Sequence, residues 1–191
     1  MDKITLIFVE ENKMSIVTVG GSAVNLSGTE LKVGDNAPVV EVVGKDLSTI
    51  KVGGKSDKIQ ILAVVPSLDT GVCATETRKF NQSMAGKANV ALSVISMDLP
   101  FAMGRFCSTE GIENISVASD FRNKDFGKAY GVLMSDGKLQ GLLARAIFVI
   151  DTDGKIIHKE IVSEVTTEPN YDAIKQAIGD SCGCGGCGCN A

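Results

Sequence analysis

The chain has 191 residues, 44% of them hydrophobic and 22% charged, a globular composition that argues against a disordered protein and leaves room for one domain with a sizeable core. Net charge is −4 and no Lys/Arg cluster appears, so a phosphate-binding face is missing and nucleic acid is excluded as the expected partner. The longest apolar run falls far short of the ~18 residues a membrane helix needs. Ile4 to Val9 is apolar, but Glu10 and Glu11 follow it where a signal peptide would carry small residues, so the expected location is cytoplasmic.

In chain order, residues 1–13 form an extension ahead of Met14, the domain runs over 14–181, and a tail occupies 182–191. Met14 to Val19 alternates, meets Gly20-Gly21 and resumes at Ala23 to Leu26, which predicts a β-hairpin. Val39–Val43 and Leu47–Val52 are two further short strands. Lys58–Val65 is nearly continuous apolar sequence ended by Pro66, as expected of a strand covered on both faces. A helix is predicted from Val72 to Met84, stopped at Gly86, followed by a buried strand over Asn89–Ile95. A short helix spans Pro100 to Cys107 and stops near Gly111; Ile115–Ala118 is a strand, and Asp125–Tyr130 a helical turn. Leu142–Ile150 reads as a strand, Asp151–Gly154 as a hairpin turn, Ile156–Val162 as its partner and Tyr171–Ile178 as the last helix. Strands alternating with helices imply an α/β fold with a mixed sheet and helices on both faces.

Six cysteines divide unevenly: Cys73 and Cys107 lie in the body, and Cys182, Cys184, Cys187 and Cys189 crowd into the tail. A secreted disulfide scaffold would spread them through the fold. Cys73 follows a buried strand and begins a helix, where unpaired N–H groups and the positive end of the dipole favour thiolate. Thr70, three residues before it, is close enough for its hydroxyl to reach the sulfur. These residues by themselves fit either a reactive cysteine or a buried one behind a threonine helix cap.

The pattern P-x-x-x-T-x-x-C, here Pro66, Thr70 and Cys73, resembles the active-site motif of peroxiredoxins. The stretches SLDTGVCATETRKFN, DLPFAMGRFCSTEG, SDFRN and LLARAIFVID, in that order, resemble the thiol peroxidase subfamily, the atypical two-cysteine type, over roughly Met14 to Ser181. The resemblance implies a thioredoxin-like (peroxiredoxin) fold and a peroxidase acting on hydrogen peroxide and organic hydroperoxides. It implies that Cys73 attacks the peroxide and becomes a sulfenic acid. Thr70 would orient the peroxide, Pro66 would shield the site, and Arg145 in LLARAIF would hold the thiolate and the developing oxygen charge. Arg145 among apolar residues is otherwise costly unless paired. Cys107 would be the resolving cysteine that closes an intrachain disulfide, for which the Cα atoms must come within about 7 Å. Helices that hold the two sulfurs apart would then have to open locally in each cycle. Thioredoxin or a similar dithiol as reductant, and a homodimer formed near the active site, are further implications, with no cofactor required for catalysis.

The tail departs from that pattern. Four thiols separated only by glycine can wrap a soft ion, four thiolates for zinc or fewer for copper(I). They can equally form a flexible arm that reduces the Cys73–Cys107 disulfide, or have no specific task. A peroxide- or metal-sensing protein that uses this tail is therefore the rival to an enzyme. A thioredoxin-like reductase is disfavoured, because Thr70 stands where the second cysteine of C-x-x-C would be. Gly53-Gly54-Lys55-Ser56 lacks the earlier glycine of a phosphate loop, and Asp151–Gly154 lacks the remaining ligands of a calcium loop. His158, the single histidine, is expected on a surface strand.

Overall fold

A computed structural model describes residues 15–84 and 87–180. Two strands, β1 (Ile16–Val19) and β2 (Ser22–Ser27), form the predicted hairpin. Its two-residue turn puts Gly20 at φ 57° and Gly21 at φ 79°, the left-handed conformations such a turn demands and glycine supplies without steric cost. The body follows as β3 (Val40–Gly44), β4 (Thr49–Val52), β5 (Ile59–Val64), α1 (Gly71–Ser83), β6 (Val90–Ser96), α2 (Pro100–Glu110) and β7 (Ser116–Ser119). It continues with α3 (Asp125–Ala129), β8 (Leu133–Met134), β9 (Ala146–Ile150), β10 (Ile156–Ile161) and α4 (Tyr171–Asp180).

Seven strands make one mixed sheet in the order β10-β9-β5-β6-β7-β3-β4. β5, β6 and β7 run parallel, and the flanking pairs are antiparallel. β5 lies between β9 and β6, and all six of its residues are buried. Its side chains alternate between two cores: Ile59, Ile61 and Ala63 pack with residues of α1, α2 and α4, whereas Leu62 and Val64 face the core that contains Phe126, Tyr130 and Phe148. This is why the strand reads as continuous rather than alternating apolar sequence. Its one polar residue, Gln60, is satisfied locally, accepting from Gly53 N–H at 3.0 Å and donating to the Gly54 carbonyl at 2.9 Å. Helices cover both faces, as expected, with α3 on the second.

The expected strand over Leu142–Ile150 divides in two. Leu142–Ala144 bonds to 132–134, through Met134 N–H to Leu142 O at 3.0 Å and Ala144 N–H to Val132 O at 2.8 Å. Only Ala146–Ile150 pairs with β5. One apolar run thus serves two partners, and the short β8 that takes its first half joins the hairpin in a separate sheet, β1-β2-β8. Arg145 stands at the junction and not in mid-strand. α2 extends three residues beyond Cys107 and ends at Gly111, whose φ of 63° is the left-handed C-terminal conformation. His158 is half-buried on β10, its Nε2 buried without a hydrogen-bond partner and 4.0 Å from Glu160 Oε2, rather than on the surface; burial holds its pKa below the usual imidazole range against the pull of Glu160. The extension 1–13, the expected helix stop at Gly86 and the tail cysteines Cys182, Cys184, Cys187 and Cys189 lie outside the described residues. Among the described residues no helix is long and apolar enough to cross a membrane.

Candidate active site

β5 ends before Pro66, which is buried and opens the loop into α1. That loop is held from across the sheet by Asp98, at the end of β6. Asp98 Oδ1 accepts from the Ser67 hydroxyl at 2.7 Å, and Oδ2 accepts from Leu68 N–H at 2.7 Å and the Ser96 hydroxyl at 2.8 Å. The loop delivers Thr70 to the N-terminal boundary of α1 and Cys73 to its first turn.

Cys73 is fully buried, and its thiol is free. Thr70 Oγ1 lies 2.8 Å from Sγ and 3.0 Å from the Ser67 carbonyl oxygen. The hydroxyl has one proton, so it donates either to Ser67 O or to sulfur. With a thiolate it turns to the sulfur; with a neutral thiol the S–H can donate to Oγ1 instead. Although Thr70 occupies the cap position, its hydroxyl makes no helix-capping bond. The Thr70 hydroxyl therefore lies against the cysteine sulfur instead of capping the helix.

The second donor is Arg145, 1% exposed, whose Nη2 donates to Cys73 Sγ at 3.2 Å. Its Nε donates to the Val165 carbonyl at 2.9 Å, and Nη1 donates to Glu76 Oε2. The guanidinium is thereby fixed on three sides. Burial pulls the Arg145 pKa down, but the charges of Glu76 and Cys73 outweigh it and the net direction is upward. Glu76, one helical turn after Cys73, was not among the residues singled out from sequence. Burial pushes its carboxyl up to about 7 against the pull of Arg145, and Oε1 is buried without a hydrogen-bond partner. Two clues for Glu76 existed in the sequence: its position on the face of Cys73, and the need of a buried arginine for a counter-charge.

Thr70, Cys73 and Arg145 are brought together as expected. Pro66 is buried in the same loop but makes no polar contact with the cluster. Cys107 lies apart on α2, 4% exposed, in the apolar core that Cys73 also joins, and its thiol is free. Burial raises the Cys107 pKa. The arrangement suits a nucleophilic sulfur: a guanidinium fixed by other partners and a hydroxyl free to turn toward it converge in a buried site, where they stabilise negative charge. Among the described residues no group of three or more His, Cys, Asp or Glu side chains could hold a metal ion.

The profile of the redoxin family matches residues 32–175. A thiol peroxidase of Campylobacter jejuni is 55% identical over 177 residues, covering 93% of this chain and all of its own. Among solved structures, a peroxiredoxin-like protein from Aquifex aeolicus superimposes with a TM-score of 0.85 at 51% identity, over 88% of this chain and 98% of its own. A thiol peroxidase from Chromobacterium violaceum gives 0.77 at 25% identity, over 86% and 95%. Such enzymes work by cysteine chemistry without a cofactor. The buried thiol between a hydroxyl and a guanidinium and these likenesses along nearly the whole domain agree, and the chain belongs to the thiol peroxidases of the redoxin family, enzymes that reduce peroxides.

Proposed function

We propose that Cys73 is the peroxide-attacking cysteine and Cys107 the resolving one, in a cycle completed within one chain. The observation that carries this reading is the pair of donors on Cys73 Sγ, Thr70 at 2.8 Å and Arg145 at 3.2 Å. The Cys73 thiolate attacks the terminal oxygen of a hydroperoxide, the O–O bond breaks, and the alkoxide or hydroxide takes up a proton and leaves as alcohol or water. Cys73 keeps one oxygen as a sulfenic acid. Arg145 and Thr70 meet the charge that grows on the oxygens, and Pro66 limits water at the sulfur. Cys107 then attacks Cys73 Sγ, the S–O bond breaks, water leaves, and a disulfide remains. A dithiol protein of the thioredoxin kind returns both thiols by exchange. Hydrogen peroxide and organic hydroperoxides are the proposed substrates, and the cytoplasm, where such reductants work, is the proposed location.

A homodimer that pairs through the face beside this site belongs to the same reading. Its support is two exposed apolar side chains, Leu99 at 53% and Phe101 at 69%, at the start of α2. For the tail, the glycine-separated thiols Cys182, Cys184, Cys187 and Cys189 support a soft-ion site for zinc or copper(I), outside the catalytic cycle.

Peptide mapping of the reduced, metal-free chain after less than one equivalent of hydrogen peroxide tests both points. A dominant Cys73–Cys107 link is expected. Unreacted Cys73 overturns the catalytic reading, and links from either body cysteine to the tail overturn a tail that stands outside the cycle.

A further inference from the structure

Cys107 has a second neighbourhood besides the apolar core. Beside α2, a cavity of about 300 Å³ is lined by Lys45, Cys107, Ser108, Gly111, Ile112 and Glu113. Lys45 is the cation of that lining. It reaches α2 from the turn between β3 and β4, which Gly44 N–H to Ser48 O at 2.8 Å and Leu47 N–H to Gly44 O at 2.9 Å hold in shape. Gly44 and Val43 pair with β7, so the turn is fixed to the sheet on which α2 packs. A Cβ at Gly104 would lie 3.9 Å from Lys45 Cβ, which sets the base of the lysine against α2 one turn before Cys107.

The resolving step needs Cys107 as thiolate, and burial opposes that ionisation. Nearby charges are few. Asp46 takes the Ser48 N–H and hydroxyl at 3.1 and 2.6 Å, Glu110 is paired with Arg78 at 2.6 Å, and β7 contributes no charged residue. Glu113 shares the cavity and opposes Lys45 there. Lys45 is the charge that acts on the thiol, drawing its pKa back down against burial.

We propose that Lys45 is a positioning residue for the resolving half of the cycle, its ammonium favouring the thiolate of Cys107 in the folded, reduced chain from which that sulfur goes on to attack the Cys73 sulfenic acid. In this step Cys107 Sγ⁻ forms the S–S bond, the Cys73 S–O bond breaks, and the departing hydroxide takes a proton to become water. Cys107 is oxidised and the sulfenic sulfur reduced. Because Lys45 is exposed, its influence is screened by salt. This inference rests on Cys107 being the resolving residue.

Two measurements on the full chain, both read on the Cys107 peptide by mass spectrometry, test it. The first is the pH profile of Cys107 alkylation in the reduced protein. The second is the rate at which the Cys73–Cys107 link replaces the sulfenic acid after a peroxide pulse. Lys45→Met is expected to shift the alkylation profile to higher pH and to slow resolution about threefold at neutral pH and low salt, with sulfinic acid accumulating at Cys73 in proportion. Lys45→Arg is expected to restore both, and salt near about 0.5 M to bring wild type close to Lys45→Met. Lys45→Met curves that superimpose on wild type at low salt, in a protein that still forms the Cys73–Cys107 link, overturn the role of Lys45 alone. A wild-type chain that never forms that link overturns the resolving reading and this inference with it.

Discussion

Glu76 shares Arg145 with Cys73, so its charge state decides how much of the guanidinium the sulfur has to itself. Burial raises its carboxyl from 4.5 to about 7. Between those values the folded chain holds a proton that the unfolded chain has released. The stabilising contribution is therefore complete below about 4.5 and disappears as pH rises through about 7, a change of order 3 kcal/mol. Glu76→Gln keeps the volume and does not titrate, so thermal melts from pH 5 to 8 should show wild type losing ground steadily to it. A difference that stays constant with pH sinks the assignment. Legibility at this scale followed distance along the chain. Thr70 and Cys73 are three residues apart at a helix start, and a motif can hold such a pair. Arg145 is 72 residues from Cys73, and only its cost among apolar neighbours and the family resemblance pointed to it. Glu76 was hidden because it stands in a run of polar residues, Thr75–Lys79, and its burial comes from a contact with Arg145, 69 residues away.

The two cysteine-bearing helices are tied at their surface by Arg78 and Glu110, with Nε to Oε2 at 2.6 Å and Nη2 to Oε1 at 2.9 Å. In the reduced chain both thiols are free within one core, and α2 is capped at its end by Gly111, whose N–H bonds the Cys107 carbonyl. If the two helices hold the sulfurs apart, closing the proposed Cys73–Cys107 disulfide opens that last turn and breaks the backbone bonds to Cys107 O from Gly111 and Ile112. Amide exchange over residues 104–112 should accordingly quicken by about tenfold or more on oxidation, while β5 and β6 keep their protection. Unchanged exchange in that segment would mean the sulfurs meet without unfolding. Element types were mostly legible because the periodicities are strong. Where they failed, at Leu142–Arg145, one apolar run was divided between two sheets, and pairing partners are not written in a run's own pattern.

For the molecule as a whole, the small sheet of β1, β2 and β8 is what couples the hairpin to the chemistry. Glu164 accepts from Gly20 and Gly21 N–H and from the Thr18 hydroxyl, and Val165 N–H bonds Thr18 O at 2.9 Å. The Thr166 hydroxyl at 2.7 Å, together with those Gly21, Gly20 and Thr18 donors, holds the Glu164 carboxyl well below the usual carboxylate range. Val165 then gives its carbonyl to Arg145 Nε. The opposite side of the site is less covered. Leu99 and Phe101 stand exposed where α2 begins, next to a cavity of about 340 Å³ lined by Ser67, Leu68, Asp98, Ala102, Arg105 and neighbouring residues. Ser67 and Leu68 belong to the loop that carries Cys73, so a partner seated on Phe101 would also brace that loop through Asp98. Phe101→Glu puts a charge on that apolar surface while α2 keeps its buried side, Met103 and Cys107, intact. If the proposed dimer forms, light scattering at about 10 µM should then give roughly half the wild-type mass, because the apolar burial at Phe101 is lost. Peroxidase turnover should fall with it, because the Ser67–Leu68 loop loses an outer support. A wild-type chain that already scatters as a monomer would leave the site to function within one copy, and the exposed phenylalanine would need another explanation.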